Sequence, residues 1–133
     1  MYYFDYTTIF DITTILQPYD ITIILSLCLL YRLFAKARHM GYRRAKHAQT
    51  PTTSILELEN VSTQTEARAY LGKRVAFVYR AKKAVNGTKT RAIWGKITRP
   101  HGAGGKVRAQ FKTPLPPQSF GAAVRVMLYP SSI

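Results

Sequence analysis

The sequence contains few of the residues from which catalytic and metal sites are built. It has one cysteine, Cys28, together with three histidines and six acidic residues in 133 positions. A single cysteine excludes an intramolecular disulfide and any zinc site made of cysteines. The histidines, His39, His47 and His101, are widely separated, and six acidic residues leave little material for acid–base chemistry. We therefore expect no cofactor, no bound metal and no small-molecule substrate.

Positive charge is missing from the first 31 residues. They contain Asp5, Asp11 and Asp20 but no lysine or arginine, which gives a net charge of −3. Residues 32–133 contain all 20 lysines and arginines and only the other three acidic residues, which gives +17. So large an excess repels itself unless a polyanion such as RNA supplies the counter-charge. The change in charge divides the chain into an N-terminal extension, 1–31, and a basic domain, 32–133.

Long hydrophobic runs are also absent. The longest charge-free apolar stretch, Ile21–Tyr31, has 11 residues, whereas a membrane-spanning helix needs about 20. A secretory signal fits the length better, but such signals begin with positive charge and this segment begins acidic. We predict no membrane span. We interpret residues 1–31 as a lineage-specific extension or a misplaced start of translation, disordered or absent in the mature protein.

In the basic domain, apolar and polar residues alternate with a period of two, which is typical of half-buried strands. The apolar faces predicted in this way are Leu56 and Leu58; Val75, Phe77 and Tyr79; Ile93, Gly95 and Ile97; Val107, Ala109 and Phe111; and Val124, Val126 and Leu128. Five or six short strands of this kind favour an all-β sandwich or a small antiparallel barrel. A barrel has the advantage of removing exposed sheet edges.

Local signals mark the connections between these strands. Thr63 with Glu66 forms a capping box, which predicts a short helix over about Gln64–Leu71 that ends at Gly72. The dipeptide Asn86-Gly87 predicts a tight hairpin turn. A single helical turn is expected at residues 117–120, after the prolines that follow the fifth strand.

Two basic stretches are candidates for contact with RNA. Residues 32–49 carry six cations, no acidic residue, and the aromatic residues Phe34 and Tyr42, a combination that suits phosphates and unpaired bases. The alternative is a solvated strand edge that uses cations to prevent aggregation. Residues 89–111 join two basic strands through the glycine-rich connection 100–105. Its glycines permit a sugar-phosphate backbone to approach closely, or simply give a flexible loop.

From these patterns we predict an RNA-binding surface made of outward cations, the glycine loop and two ring side chains. Its residues are Arg38, Tyr42, Arg43, Arg44, Lys46, Lys73, Arg74, Arg80, Lys82, Lys83, Lys89, Arg91, Lys96, Arg99, His101, Gly102, Gly104, Gly105, Lys106, Arg108, Lys112 and Arg125. Trp94 is equally compatible with stacking on a base and with packing in the core.

Several of these stretches resemble one protein family. They are GYRR, YLGKRVAFVYRAKK, RAIWGKITRPHGAGGKVRAQF and GAAVRVMLYPSSI, at residues 41–44, 70–83, 91–111 and 121–133. Together they resemble the L-thirty-five-Ae family of the eukaryotic and archaeal large ribosomal subunit, over residues 32–133. The resemblance implies a six-stranded antiparallel β-barrel, similar to translation-factor domains, with one short helix.

The resemblance also implies a structural, non-enzymatic role in the large ribosomal subunit, supporting its assembly and translation. The expected partners are large-subunit rRNA, neighbouring large-subunit proteins and tRNA, on cytoplasmic ribosomes with nucleolar passage in a eukaryote. The alternative is a free RNA- or tRNA-binding module outside the ribosome. An RNA-modifying enzyme is disfavoured, because His101 is the only candidate base and has no visible partner.

Overall fold

The computed structural model describes residues 33–131, which contain six strands, one α-helix and one 3₁₀ turn. The elements in chain order are β1 (Phe34–Arg44), β2 (Gln49–Leu58), α1 (Gln64–Arg68), β3 (Arg74–Val85), β4 (Thr88–His101), β5 (Lys106–Phe111), the 3₁₀ turn (Pro117–Ser119) and β6 (Ala123–Met127). The interpretation of residues 1–31 falls outside the described residues. None of the helices within 33–131 has the length and apolar character needed to cross a membrane.

The six strands close into a barrel in the order β1-β2-β5-β4-β3-β6, and each neighbouring pair is antiparallel. The last strand, β6, completes the barrel between β1 and β3. Ala37 of β1 pairs with Val124 on one side of β6, and Val75 of β3 pairs with Val126 on the other. The predicted six-stranded antiparallel barrel with one short helix is therefore confirmed.

Apolar side chains from all six strands fill the interior of the barrel. The buried set includes Ala37, Leu56, Leu58, Val75, Phe77, Ile97, Val107, Ala109, Phe111, Val124 and Val126. Burying one valine, leucine or phenylalanine side chain contributes roughly 1.5–3 kcal/mol. This alternation leaves the intervening basic side chains on the outer surface of the wall.

Two side chains predicted to face inward are exposed instead. Tyr79 of β3 is 37% exposed, and Leu128, which follows β6, is 47% exposed. Strand β3 pairs with β6 only at Val75 and Ala76, so by Tyr79 it no longer has β6 beside it. Strand β6 ends at Met127, one residue before Leu128. Alternation identifies the face of a strand, but it does not show where the opposing wall ends.

Strands β3 and β4 continue together beyond the barrel as a hairpin, residues 80–91, which we call the basic hairpin. Its turn matches the prediction, because Asn86 and Gly87 both adopt positive φ, at 52° and 78°, between paired Val85 and Thr88. It carries the exposed cations Arg80, Lys82, Lys83, Lys89 and Arg91. No acidic residue occurs in this segment.

The short helix α1 begins as the sequence predicts. The Thr63 hydroxyl accepts a hydrogen bond from the Glu66 N–H, and the Glu66 carboxylate accepts one from the Thr63 N–H. The α-helix ends at Arg68, three residues earlier than expected, and the chain continues through turns to Gly72. Ala67 is buried against the barrel core, so α1 covers one part of it.

Candidate nucleic-acid interface

Most of the predicted RNA-binding cations lie on the outer surface. The exposed ones are Arg38, Arg43, Arg44, Lys46, Arg74, Arg80, Lys82, Lys83, Lys89, Arg91, Lys96, Arg99, Lys112 and Arg125, and the half-buried ones are Lys73, Lys106 and Arg108. Residues 33–131 contain only three carboxylates, and that of Glu66 is already engaged with the N–H groups of Ser62 and Thr63. The surface therefore carries many more cations than its own carboxylates can neutralise.

The glycine-rich connection between β4 and β5 gathers several of these cations. Arg99 of β4 pairs with Arg108 of β5, and like charges directly opposite one another on neighbouring strands repel. The Arg108 Nε–H donates a hydrogen bond to His101 Nδ1 at 3.0 Å. Burial and the positive charges of Arg108 and Lys106 lower the pKa of His101. An anion bound here would relieve the repulsion between the two arginines.

The three glycines of this connection have different surroundings. Gly105 is buried with φ of 76°, and a Cβ on it would lie 2.5 Å from the Val61 carbonyl oxygen. Gly102 also has positive φ, 70°, but a Cβ there, or on Gly104, would meet no atom within 4 Å. Close packing inside the protein thus requires glycine at 105. Only Gly102 and Gly104 are open to an external backbone.

Tyr42 was predicted to contact RNA, but its side chain lies in the protein interior. The residue is 9% exposed, its hydroxyl donates to the Leu115 carbonyl, and its ring packs against Phe120 at 5.0 Å and His39 at 5.8 Å between centroids. Strand β1 has register irregularities on both sides of Gly41 and Tyr42, which disrupt simple alternation. Tyr42 therefore anchors β1 to the segment after β5, and its ring is not open to a base.

His39 is the buried polar centre of this aromatic cluster. Its Nε2 is hydrogen-bonded to the Gly41 carbonyl at 3.1 Å and its Nδ1 to the Ser119 hydroxyl at 2.8 Å, and the Ser119 hydroxyl itself donates to the Pro116 carbonyl at 2.6 Å. Burial lowers the pKa of His39, although its hydrogen bonds to Gly41 and Ser119 oppose that shift. The bond to Ser119 ties β1 to the 3₁₀ turn, whereas the bond to Gly41 lies within β1. Sequence reasoning gave His39 no role, because its partner Ser119 is 80 residues away.

Four of the predicted residues, Tyr42, Arg44, His101 and Lys106, line one cavity of about 290 Å³ at the edge of the aromatic cluster. Met40 and Phe120, each 45% exposed, also line it. Sequence reasoning missed both, because Met40 lies at an irregularity of β1 and Phe120 follows an irregular, proline-rich segment. The cavity therefore combines cations with exposed apolar groups.

A second cavity, of about 620 Å³, brings together Arg74, Lys96 and Lys112. Trp94 lines it as well, and the Arg74 guanidinium lies over the indole ring, 4.9 Å from its centroid. Tyr129 and Pro130, from the end of the described chain, complete this side. Alternation correctly places Trp94 on the face opposite Ile97, but no sequence signal brings Tyr129 beside it.

The remaining predicted residues lie elsewhere on the surface. Arg38 lines a further cavity with Glu57 and Glu59, and the Arg125 guanidinium lies over the Phe34 ring at 5.0 Å. The cations of the basic hairpin form a group of their own, outside the barrel. The predicted residues thus fall into several groups around the barrel.

A basic surface around a closed six-stranded barrel is the geometry that the sequence resemblance implies. The family model of ribosomal protein L35Ae matches residues 33–127. The chain belongs to the ribosomal protein L35Ae family. This is a family of ribosomal proteins and not of enzymes, as predicted.

Relatives within the L35Ae family occur in eukaryotes and in archaea. Large ribosomal subunit protein eL33 of Candida albicans is 52% identical over 103 residues, covering 77% of this chain and 96% of the relative. Protein eL33A of Schizosaccharomyces pombe is 50% identical over 103 residues, covering 77% and 95%. Protein eL33 of Methanopyrus kandleri is 35% identical over 85 residues, covering 64% and 87%. The family match lies within the basic domain.

Proposed function

We propose that this chain is a structural constituent of the large ribosomal subunit that binds rRNA through its basic outer surface and glycine-rich loop. Membership of the L35Ae family supports the assignment to the subunit, since the relatives are named large-subunit proteins. The observation that carries the RNA contact is the charge of the outer wall. Nineteen arginines and lysines stand against three carboxylates in residues 33–131, and RNA phosphates supply the missing negative charge.

The contact is directed mainly to phosphates and to RNA shape. Lysines and arginines on a rigid wall fix the position of a nucleic acid backbone without reading its sequence. Arg99 and Arg108 share one phosphate group or two adjacent ones, since their mutual repulsion is then offset. At Gly102 and Gly104, the absence of side chains lets the sugar-phosphate chain approach the loop.

The basic hairpin extends this contact away from the barrel. Both of its faces are solvent-exposed except at Ala81, and its five cations have no acidic neighbour in sequence. A two-stranded ribbon of this kind fits between RNA helices, where phosphates approach it from both sides. Neighbouring large-subunit proteins are the other expected partners, with tRNA as a further one.

The division of the chain follows from the same charges. Residues 1–31 carry −3 and residues 32–133 carry +17, so the first segment is repelled by the RNA that the second one binds. The extension is therefore dispensable for entry into the subunit. A chain beginning at Arg32 behind an initiator methionine should enter large subunits as well as the full chain does. A full chain that enters while the shortened one fails would contradict this division.

Sedimentation of the tagged full chain in a sucrose gradient tests the proposed function. We expect it in the large-subunit and 80S or 70S fractions of a cytoplasmic extract, retained there after a high-salt wash. In a eukaryotic cell, the newly made protein should also pass through the nucleolus, where subunits assemble. Recovery only in the light fractions, bound to RNA, would instead indicate a free RNA- or tRNA-binding module.

A further inference from the structure

We propose that the chain stacks an unpaired RNA base on Trp94. The surface consists of Trp94, Arg74, Lys96, Lys112 and Tyr129, and we call it the Trp94 surface. This inference rests on the proposed function and deepens it, because it names single-stranded RNA as the form bound at this place. The outer wall elsewhere needs only phosphates, which duplex and single strand both offer.

The indole is too exposed to be accounted for by the core. Trp94 is 37% exposed and Tyr129 is 45% exposed, whereas Ile97 on the opposite face of β4 is 1% exposed and fills the barrel. Phe111, from the neighbouring strand, packs in the same core. The barrel is therefore closed without the indole ring. An aromatic surface left outside in this way is available for contact with another molecule.

The side chains around the indole indicate that the molecule bound at this surface is a nucleotide. The Arg74 guanidinium lies over the ring at 4.9 Å, and Lys96 and Lys112 line the same cavity, which no acidic side chain of residues 33–131 lines. Aromatic rings bordered by cations are the usual platform for unpaired bases, because the ring stacks while the cations hold the flanking phosphates. The three cations that line the cavity complement the phosphates of a nucleotide.

The platform is built on backbone that is already fixed. The Lys112 N–H donates to the Trp94 carbonyl at 2.9 Å, and the Arg74 N–H donates to the Tyr129 carbonyl at 3.0 Å. The Lys73 ammonium donates to the Pro130 carbonyl at 2.7 Å, which holds the last described segment beside β3. The cavity, about 620 Å³, lies within the roughly 300–1,000 Å³ typical of small-ligand sites. It can therefore hold a nucleotide without rearrangement of the barrel.

The Trp94 surface is separate from the glycine-rich loop. Trp94 and His101 both lie on β4, seven residues apart, which corresponds to about 23 Å at the usual rise of a strand. The two cavities share no lining residue. One RNA strand could therefore contact both, or each could be occupied alone, and a substitution at Trp94 can be made without altering the loop.

Trp94 is the only tryptophan of the chain, so the tryptophan emission of the full chain reports on this surface alone. The experiment titrates the full chain with a short single-stranded oligoadenylate and, separately, with a blunt RNA duplex of equal length. Binding of each is followed independently by anisotropy of a labelled copy. We expect the single strand to quench the emission along its binding curve, and the duplex to bind with little quenching, because its bases are already stacked.

Variants decide whether the indole itself supplies affinity. Trp94→Ala should weaken oligoadenylate binding about tenfold while duplex binding is unchanged, and Trp94→Phe should retain most of the affinity. The matched control is Tyr79→Ala. Tyr79 is also 37% exposed, but its ring stacks on Phe77 and not under an arginine. This control should leave oligoadenylate binding unchanged, and circular dichroism should show all three variants folded.

Three results would overturn the inference. In the first, the single strand binds but the tryptophan emission does not change. In the second, the single strand and the duplex quench the emission equally. In the third, Trp94→Ala loses the same affinity for both RNAs. In each case RNA binding itself persists, so the proposed function survives while the base platform does not. If neither RNA binds in a salt-dependent manner, the proposed function fails together with this inference.

Discussion

Strands β3 and β4 pass through two environments, and the same two strands behave differently in each. Within the barrel, Val75 and Phe77 are buried and the strands form part of a closed wall. In and beside the basic hairpin, Tyr79 and Val85 are 37% and 52% exposed, although both are apolar residues of a strand. The difference lies in what faces the strand. An apolar side chain is buried only where a second wall stands opposite it.

This comparison separates the residues that stabilise the folded domain from the residues that we expect to bind RNA. The barrel portion holds the apolar core from which the stability of the domain derives. The basic hairpin buries few side chains but carries five cations and extends beyond the wall. Substitutions in the barrel should therefore act on folding, and those in the hairpin on binding. Four experiments test this separation, beginning with the largest expected effect.

A valine-to-aspartate substitution should destabilise the protein strongly in the barrel and only slightly in the basic hairpin. Val107→Asp buries an unpaired carboxylate at a site that is fully buried, at a cost of several kcal/mol or more. This is comparable with the whole stability of a typical domain, about 5–15 kcal/mol, so the domain should unfold. Val85→Asp, in the hairpin, should cost about 1 kcal/mol or less. Denaturant unfolding followed by circular dichroism measures both, and similar losses would contradict the separation.

Two glycines of one loop offer a second matched pair. Gly105→Ala combines a positive φ with a Cβ placed 2.5 Å from the Val61 carbonyl oxygen, and should destabilise the protein by about 2–4 kcal/mol. Gly102→Ala has a similar φ and open space around its Cβ, so about 1 kcal/mol is expected. The measurement is again the free energy of unfolding. If Gly102→Ala costs as much as Gly105→Ala, packing against Val61 is not what requires the glycine.

Removing charge from the hairpin should alter binding without altering folding. The double variant Lys82→Gln, Lys83→Gln should lower the slope of log affinity for rRNA against log salt by roughly 0.7–0.9 for each phosphate that it no longer neutralises. The control, Arg68→Gln, removes a charge from an exposed residue outside both candidate stretches and the basic hairpin. Its slope should stay close to that of the unaltered protein. Equal changes for each charge removed would indicate that only total charge matters.

The smallest expected effect is a pH dependence of stability from His39. Because burial lowers its pKa in the folded protein below the ordinary value of 6.5, the unfolded chain binds more protons between those two pKa values. The contribution of His39 to stability is therefore fully present above pH 6.5 and decreases as the pH falls below that value. The slope is at most about 1.4 kcal/mol per pH unit for one group. Unfolding of His39→Gln at several pH values should show a shallower slope, and an unchanged slope would exclude this origin.

The strands, their buried faces and the hairpin turn could be predicted from the sequence, because local patterns determine them. The alternation of Val107, Ala109 and Phe111 with polar residues identifies a strand and its buried face. Successive side chains of a strand point in turn to the core and to the outer surface, so apolar residues recur at every second position. The turn at Asn86-Gly87 follows from the positive φ that these residues tolerate. The closed barrel itself came from the family resemblance, since alternation is equally compatible with a sandwich.

The features that the sequence did not reveal occur where distant parts of the chain meet. Tyr42 lies in a basic stretch that suits RNA, yet Leu115 and Phe120 pack against its side chain in the folded chain. The requirement for glycine at 105 comes from the close approach of Val61, whatever its contact with RNA. Tyr129, which lines the same cavity as Trp94, lies 35 positions further along the chain. Composition predicts which side chains suit RNA, but only the fold determines which of them remain accessible.

The position of β6 has a consequence for the order in which the protein is made. Of the six strands in residues 33–131, β6 is synthesised last, and it lies between β1 and β3. Until residues 123–127 have left the ribosomal exit tunnel, the growing chain has two open sheet edges and an apolar face without its final cover. The barrel therefore cannot close until β6 has been synthesised and has left the tunnel, after the other five strands. Every earlier stage exposes edges that must be kept from pairing with other chains.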